Sequence, residues 1–483
     1  MTLRQPTTAV LLSLLLAACA GTDVPLNSQI AVPQSFDQAQ AAKGSTDIAQ
    51  WWRQWNDPVL SSLIEQGLWQ SHDIRIAESR LNEARTVSRA AEADKGPAVG
   101  LNADAARLDT RVSNPLSSET RAVIGQIPQA AALNSERYRL KGNSLSGGFT
   151  ASWEPDVFGQ KRSDADAARY AALGVQEQVY GAQMLVAADI ADNYFKARAA
   201  QARQQTAGRT TATLQRMVRY VEGRFKAGQL TAYEVNQARS QLSAAQARES
   251  TLSAEYAAYV RSIAVLTGQA PQGFSLPAGR TDILAAQPAA PPRQTPQGLL
   301  ERRPDLRARA AEVNAYAAKL ASAKADLLPR FSIEFLGQGS ISIDSASDLK
   351  GWGSLLRAGI QVPLFTNGRI KANIAAADAR LQTALLQYDQ TLLKALGDVD
   401  TAYQTHAALT RQNQLLATAQ RQAAKQAADT EKLFKYGHKT LDEALRAQLN
   451  EQEMQDNLTQ SRLARAQTLI ELYKALGGGW TAD

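Results

Sequence analysis

The chain has 483 residues, a formal charge of +7, 44% hydrophobic but only 6% aromatic residues, three histidines and one cysteine. Basic and acidic side chains are interleaved rather than blocked, which argues against a nucleic-acid partner, and so few histidines and cysteines supply neither a metal cluster nor a nucleophile with its base; no enzyme and no cofactor are expected. Alanine fills the place of large core side chains, and such small residues suit an extended wall of laterally packed helices better than a compact ball.

The N-terminus reads as an export signal. Arg4, the short apolar run at residues 9–16 and the small residues Ala17 and Ala18 form a charged region, an apolar region and a cleavage site. The run is too short to span a bilayer. Leu16-Ala17-Ala18-Cys19 resembles a bacterial lipobox, which implies a signal peptide over 1–18 and acylation of Cys19, the only cysteine. Ala20 stands where an aspartate would favour retention at the inner membrane. Several acyl chains on one cysteine, at about 0.8 kcal/mol per buried methylene, make a stable anchor. Residues 19–57 are then expected as a lipidated tether, polar and without periodicity from 22 to about 50.

Order is expected to begin at Trp51, Trp52 and Trp55. Asp57 can cap a helix with Pro58 in its first turn, and that helix is expected to run unbroken to about Lys95, before Gly96-Pro97. Next come two strands, about 99–111 and 145–155, the second marked by Phe149, Ala151 and Trp153 alternating with Thr150 and Ser152. Between them lies a Pro/Ser/Asn-rich excursion over about 114–142. From Gln160 to about Lys226 the composition favours helix throughout, a rise of roughly 100 Å at 1.5 Å per residue. After a turn at Gly228 a shorter helix returns to about 268.

A Pro/Ala-rich linker over 271–295 separates this from a second copy at 296–478, followed by a tail at 479–483. The second copy has strands at about 330–342 and 353–363, with Phe331, Ile333 and Phe335 alternating with Ser332 and Glu334, and a hairpin at about 368–476 turning at Gly437. Phe158 and Phe365 correspond at an offset of 207 (365 − 158), Gly228 and Gly437 at 209 (437 − 228), so the second long arm is expected to have gained two residues. The offset of 232 between Asp73 and Asp305 (305 − 73) puts the surplus length of the first strand pair in its excursion. In each copy the pre-strand and return helices together match the long arm in length, so stacked end to end they would partner it throughout. Heptad-like seams support lateral packing: Leu252, Tyr256, Tyr259, Ile263 and Leu266, then Leu381, Leu385, Tyr388, Leu392, Leu396, Val399 and Tyr403.

Four strands, apolar on one face and polar on the other, have the length and alternation of membrane-barrel strands, with Phe331, Phe335, Ile360 and Val362 expected toward lipid and Gln361 toward the lumen. Four strands cannot close a barrel. An ordinary sandwich sheet also explains alternation; the export signal favours a barrel assembled from several chains.

Five spaced motifs carry a resemblance. Trp51-Trp52 with Asn56-Asp57-Pro58, Trp153-Glu154-Pro155-Asp156-Val157-Phe158-Gly159, Arg302-Arg303-Pro304-Asp305-Leu306, Pro363-Leu364-Phe365 before Gly368-Arg369, and Glu471-Leu472-Tyr473-Lys474-Ala475-Leu476-Gly477-Gly478-Gly479-Trp480 resemble the outer membrane efflux protein family over nearly the whole mature chain. The match is nearest to the lipoprotein outer-membrane factors of resistance-nodulation-division (RND) pumps, the OprM and NodT type of the TolC-like superfamily. The resemblance implies a mainly α TolC-like fold and a homotrimer in which four strands per chain build a twelve-stranded outer-membrane β-barrel continued by a periplasmic α-helical barrel. It implies a passive exit duct for drugs or other small molecules, with a periplasmic adaptor and an inner-membrane RND pump as partners besides outer-membrane lipid. A conduit for type I protein secretion shares the fold, and a periplasm-spanning structural lipoprotein would need the arms without the barrel. By the same resemblance the adaptor meets the turns, here Lys226, Ala227, Gly228, Gln229 and Leu230 with Thr231, and Tyr436, Gly437, His438 and Lys439 with Thr440. The family's periplasmic gate maps to Asp442 and Arg446, where relatives of this type carry a leucine and an aspartate, with Glu234 and Arg239 of the first copy as the next candidates.

Overall fold

A computed structural model describes residues 28, 30–36, 39, 42–128, 130, 134–279, 282–342 and 350–480. The signal peptide and Cys19 lie outside the described residues. In chain order the elements are a 3₁₀ turn at Trp51–Trp55, α1 (Pro58–Gln70), α2 (His72–Ala93), β1 (Ala98–Ser113), α3 (Ser118–Ile124), β2 (Arg137–Trp153), α4 (Gln160–Lys226), α5 (Ala232–Leu266), α6 (Pro296–Arg302), α7 (Pro304–Ala325), β3 (Arg330–Ser342), β4 (Lys350–Gln361), α8 (Arg369–Lys435) and α9 (Leu441–Ala475). Among the described residues no helix is long and apolar enough to cross a membrane. The chain divides into two compact units.

One unit, built from Val87–Ala168 and Tyr316–Ala379 among the described residues, holds the sheet. Its strands are antiparallel in the order β1-β2-β3-β4. The register aligns Leu101 with Phe149, Ala151 with Phe335, and Phe331 with Ile360, so odd positions of β1, β2 and β3 share a face with even positions of β4. That face carries Val99, Leu101, Phe149, Trp153, Phe331, Phe335, Leu356 and Ile360, with Leu101 88% exposed and Leu356 71% exposed. The opposite face carries Asn102, Thr150, Ser332, Glu334, Arg357 and Gln361, with Leu336 opposite Leu355, and Leu108 and Val112 far along β1, as apolar residues among them. On the apolar face the Phe149 ring lies 5.3 Å from Phe335 and 6.1 Å from Trp352, and together they cover Gly337, where a Cβ would fall 2.9 Å from Phe149.

Two expectations for this unit change. β2 starts at Arg137, well inside the supposed excursion, because it pairs with β1 as far as Ser113↔Arg137. Val362 lies just beyond the end of β4 at Gln361.

The other unit, Val24–Thr86, Arg169–Ala315 and Arg380–Asp483, is helical. The expected unbroken helix from Pro58 is broken at Ser71, whose ψ of 131° is extended. Space explains the break: the left-handed Gly268, just beyond α5, sits so close that a Cβ there would meet the Gln70 carbonyl oxygen at 2.6 Å. The second copy repeats the joint, with Gly477 against Arg302 and Arg303, and Pro304 keeping Arg303 extended. The return helix of each copy therefore ends against the joint of its pre-strand pair, as end-to-end stacking requires.

The long arms are equal: α4 and α8 each have 67 residues, and α5 and α9 each have 35. The expected two-residue gain is thus not in the arm. It lies in the preceding turn, since α4 begins two residues after Phe158 (160 − 158) and α8 four after Phe365 (369 − 365). Gly159 and Gly368 precede the two arms alike, with φ of 77° and 80°, so the extra residues are Thr366 and Asn367, the latter also left-handed at φ 48°.

The core of this unit gathers around the 3₁₀ turn. Trp51 is 1% exposed and stacks on Tyr473 at 5.3 Å, and Trp55 packs on Phe195. Asp57 does two jobs: its Oδ1 caps α1 by accepting from Val59 and Leu60, and its Oδ2 accepts from the buried Tyr194 hydroxyl at 3.0 Å. The described residues ahead of Trp51 are laid on this unit: Ser28 donates to Asp389 at 2.7 Å, Phe36 meets Tyr403, and Gly44 donates to the Ala290 carbonyl.

Candidate functional site

Both hairpins end in the same construction. Gly228 (φ 73°) and Gly437 (φ 79°) take the left-handed conformation, and the next amide reaches back across the last turn, Gln229 to the Arg224 carbonyl and His438 to that of Leu433, each at 2.9 Å. The return helices then open on matching capping boxes. The Thr231 amide donates to Glu234 Oε2 and the Thr440 amide to Glu443 Oε2, both at 2.9 Å, while each threonine hydroxyl caps the helix in return. The Lys439 ammonium, 2.5 Å from Glu443, and the Thr440 amide hold that carboxyl down at about 2; hydrogen bonds from Thr231 lower Glu234.

Lys226, Ala227, Gly228 and Gln229 at one tip and Tyr436, Gly437, His438 and Lys439 at the other are exposed; Leu230 is half-buried. Leu230 packs on a cluster of Met217, Val221, Val235, Ala238 and the fully buried Leu445, which seats α9 in the groove of the first hairpin. Polar contacts continue that seam: Gln452 donates to Thr213 at 3.0 Å, Arg203 to Asp456 at 2.9 Å, and Gln467 to Asp192 at 2.7 Å.

Three of the four gate candidates meet in one cleft beside this cluster: Glu234 of the first copy with Asp442 and Arg446 of the second. Arg446 Nε lies 2.8 Å from Asp442 Oδ2 within one chain, an i,i+4 ion pair with the arginine side chain 69% exposed. Glu234 is engaged as a cap. Arg239 is outside the cleft lining and pairs instead with Glu222 at 2.6 Å. The constant offset of 209 makes Tyr233 and Gln237 the counterparts of Asp442 and Arg446 (442 − 233 and 446 − 237). Gln237 lines the same cleft, and Tyr233 is 71% exposed. Counting from the shared capping threonine would have found both from sequence.

The seam also buries a histidine. His406 on α8 is 6% exposed, its Nε2 lacks a protein partner, and burial, then the Arg465 charge, pushes its pKa to about 4. The unfolded chain binds a proton below about pH 6.5 that the native state refuses. Stability present above pH 6.5 is therefore lost as pH falls toward 4, by up to about 3 kcal/mol. His406→Leu is expected to flatten the fall of the thermal midpoint over this range; an unchanged pH slope would assign the loss elsewhere.

A sheet with one exposed apolar face and long helical hairpins sharing an interlocked seam are the parts of an outer-membrane channel. Two stretches, residues 63–269 and 295–478, match the family described as outer membrane efflux protein, and the chain belongs to that family. It is 29% identical over 487 residues to the pyoverdine export outer membrane protein OpmQ of Pseudomonas putida, covering 100% of this chain and 99% of the relative. It is 26% identical to the cation efflux system protein CusC of Escherichia coli, covering 93% of each. Among solved structures the outer-membrane channel OprN aligns with a TM-score of 0.78 at 25% identity, covering 95% of this chain and 99% of that one. The fold is accordingly TolC-like, mostly helical with a small antiparallel sheet and an internal repeat, and the protein is an outer-membrane component of an efflux system.

Proposed function

We propose that three copies close their sheets into one twelve-stranded barrel and their helices into a periplasmic tube, forming the passive exit duct of a tripartite efflux system. The observation that carries this is the exposed apolar sheet face backed by a polar one: four strands cannot close alone, and a face bearing Leu101, Leu356 and Ile360 needs lipid or another apolar cover. A periplasmic adaptor then engages the exposed tips at residues 226–230 and 436–439, and an RND-type pump in the inner membrane supplies the driving force. Small molecules pass without tight binding. The domain limits that follow are a signal peptide at 1–18, a tether at 19–57, repeats at 58–270 and 296–478 joined by 271–295, and a tail at 479–483. The purified protein added to planar bilayers should give discrete conductance steps; bilayers that stay silent while the protein is folded and trimeric would overturn this reading.

The lipid anchor at Cys19 belongs to the same proposal. Cells fed labelled palmitate are expected to label the wild type and not Cys19→Ser, and label persisting in the variant would remove the anchor. Since the closed barrel itself holds the chain in the membrane, the variant should still assemble.

A further inference from the structure

The polarity of the sheet reverses along β1. The ladder between β1 and β2 runs from Ala98↔Ser152 to Ser113↔Arg137, and among the described residues that of β2 and β3 runs from Trp153↔Ile333 to Ser144↔Ser342. Past Ser144 the β1–β2 ladder continues as a ribbon over 107–113 and 137–143, roughly 24 Å long at about 3.4 Å per residue. Strand parity carries the apolar face of the sheet into this ribbon. Val99, Leu101, Ala103 and Ala105 are followed on that face by Arg107, Asp109 and Arg111, and the register sets positions 137, 139, 141 and 143 of β2 across from them.

The described ends of that stretch of β2 are Arg137 and Asn143, so the ribbon's continuation of the apolar face bears Arg107, Arg111 and Arg137 beside one carboxylate, Asp109. The other face reverses as well, placing Leu108 and Val112, both exposed, where the sheet below has polar residues. A ribbon wholly in water gains nothing by reserving its cations for the side that continues an apolar face. A ribbon crossing from hydrocarbon into a layer of anionic headgroups does, and Arg107 follows Ala105 by about 7 Å.

We propose that this basic face of the β1–β2 ribbon binds phosphate-bearing lipid headgroups of the outer leaflet, the arginines gripping phosphate oxygens in forked pairs. The inference rests on the channel reading, which places the sheet in the outer membrane. The ribbon is at the strand ends remote from the helix-linked ends Ala98 and Trp153, and so on the external side.

The test uses the purified full-length protein, with native mass spectrometry counting bound lipid A, a phosphorylated glycolipid, against its dephosphorylated form. The wild type should prefer the phosphorylated lipid, and Arg107→Ser/Arg111→Ser/Arg137→Ser should lose roughly 100-fold in affinity for it, from about fivefold per arginine. The lysine triple variant should retain part of the preference, and Leu108→Ser/Val112→Ser on the other face should retain all of it. Equal binding of the two lipids by the wild type, or undiminished preference in a serine variant that still runs as a trimer, overturns the proposal. If the serine variant does not assemble, Arg107→Ser alone decides by the same comparison. Conductance measured on the same preparations separates the two readings: channels with charge-indifferent lipid binding sink this inference alone, and silent bilayers sink both.

Discussion

Phe335→Arg is expected to cost the assembled barrel roughly 2 to 4 kcal/mol, while Gln361→Arg costs little. Phe335 sits near the middle of the apolar face of β3, pairing with Ala151 and Leu356 in the register and stacking on Phe149 at 5.3 Å. An arginine there loses the stack on Phe149 and brings a guanidinium to a depth from which even a long side chain reaches the interface only at a cost. Gln361 lies on the face already shared by Glu334 and Arg357, which approach to 3.5 Å across β3 and β4, so a cation there enters a polar setting. The measurement is the denaturant midpoint of the assembled protein in lipid or detergent. Equal tolerance at the two positions would mean that the apolar face is covered by something other than lipid.

Asp442→Ala and Arg446→Ala are each expected to raise the open probability of single channels and to let large antibiotics leak inward. The pair is closed within one chain at 2.8 Å, so a threefold ring of intact pairs is nearly neutral. Either single change leaves three like charges around the axis. At a separation of about 10 Å and an effective dielectric of 20 to 80, each like-charge contact repels by roughly 0.4 to 1.7 kcal/mol, and three such contacts bias the tips apart. The double variant restores neutrality and should be no leakier than the singles, and raised salt should blunt the single-variant effect. Conductance unchanged in both singles would reduce the pair to an exposed helix contact worth a few tenths of a kcal/mol. Tyr233 and Gln237 would then be next to vary, because Glu234 is engaged in capping and Arg239 in pairing with Glu222.

Local rules carried much of this architecture. The hairpin ends were legible because a left-handed glycine and a threonine three residues on, with a glutamate completing the box, are signals confined to a short window. The strand faces were legible because alternation is a property of each strand alone. What escaped depended on contacts between distant segments. Nothing around Ser71 announces a break, since its cause is the approach of Gly268 from almost two hundred residues away. The early start of β2 is set by pairing with β1 rather than by its own pattern, which reverses polarity there. Asp57 was legible as a cap, but not as the acceptor for Tyr194. At the candidate gate, sequence offered Glu234 and Arg239 only as the next candidates after Asp442 and Arg446; it could not show that Glu234 shares their cleft or that it is engaged as a cap and Arg239 with Glu222.

The equality of the arms turns length into a quantised property. One residue added to α4 between Arg203 and Thr213 would turn everything beyond it by about 100° and advance it by about 1.5 Å, carrying Met217 and Val221 away from Leu445 while α8 and α9 stayed in phase. An insertion of seven residues leaves only about 20° of drift in one sense and one of eleven about 20° in the other, but the change has to be made in α4, α5, α8 and α9 together if both tips are to stay level. Longer or shorter hairpins are thus reached by whole steps of roughly 10 or 16 Å, taken four times over in one gene.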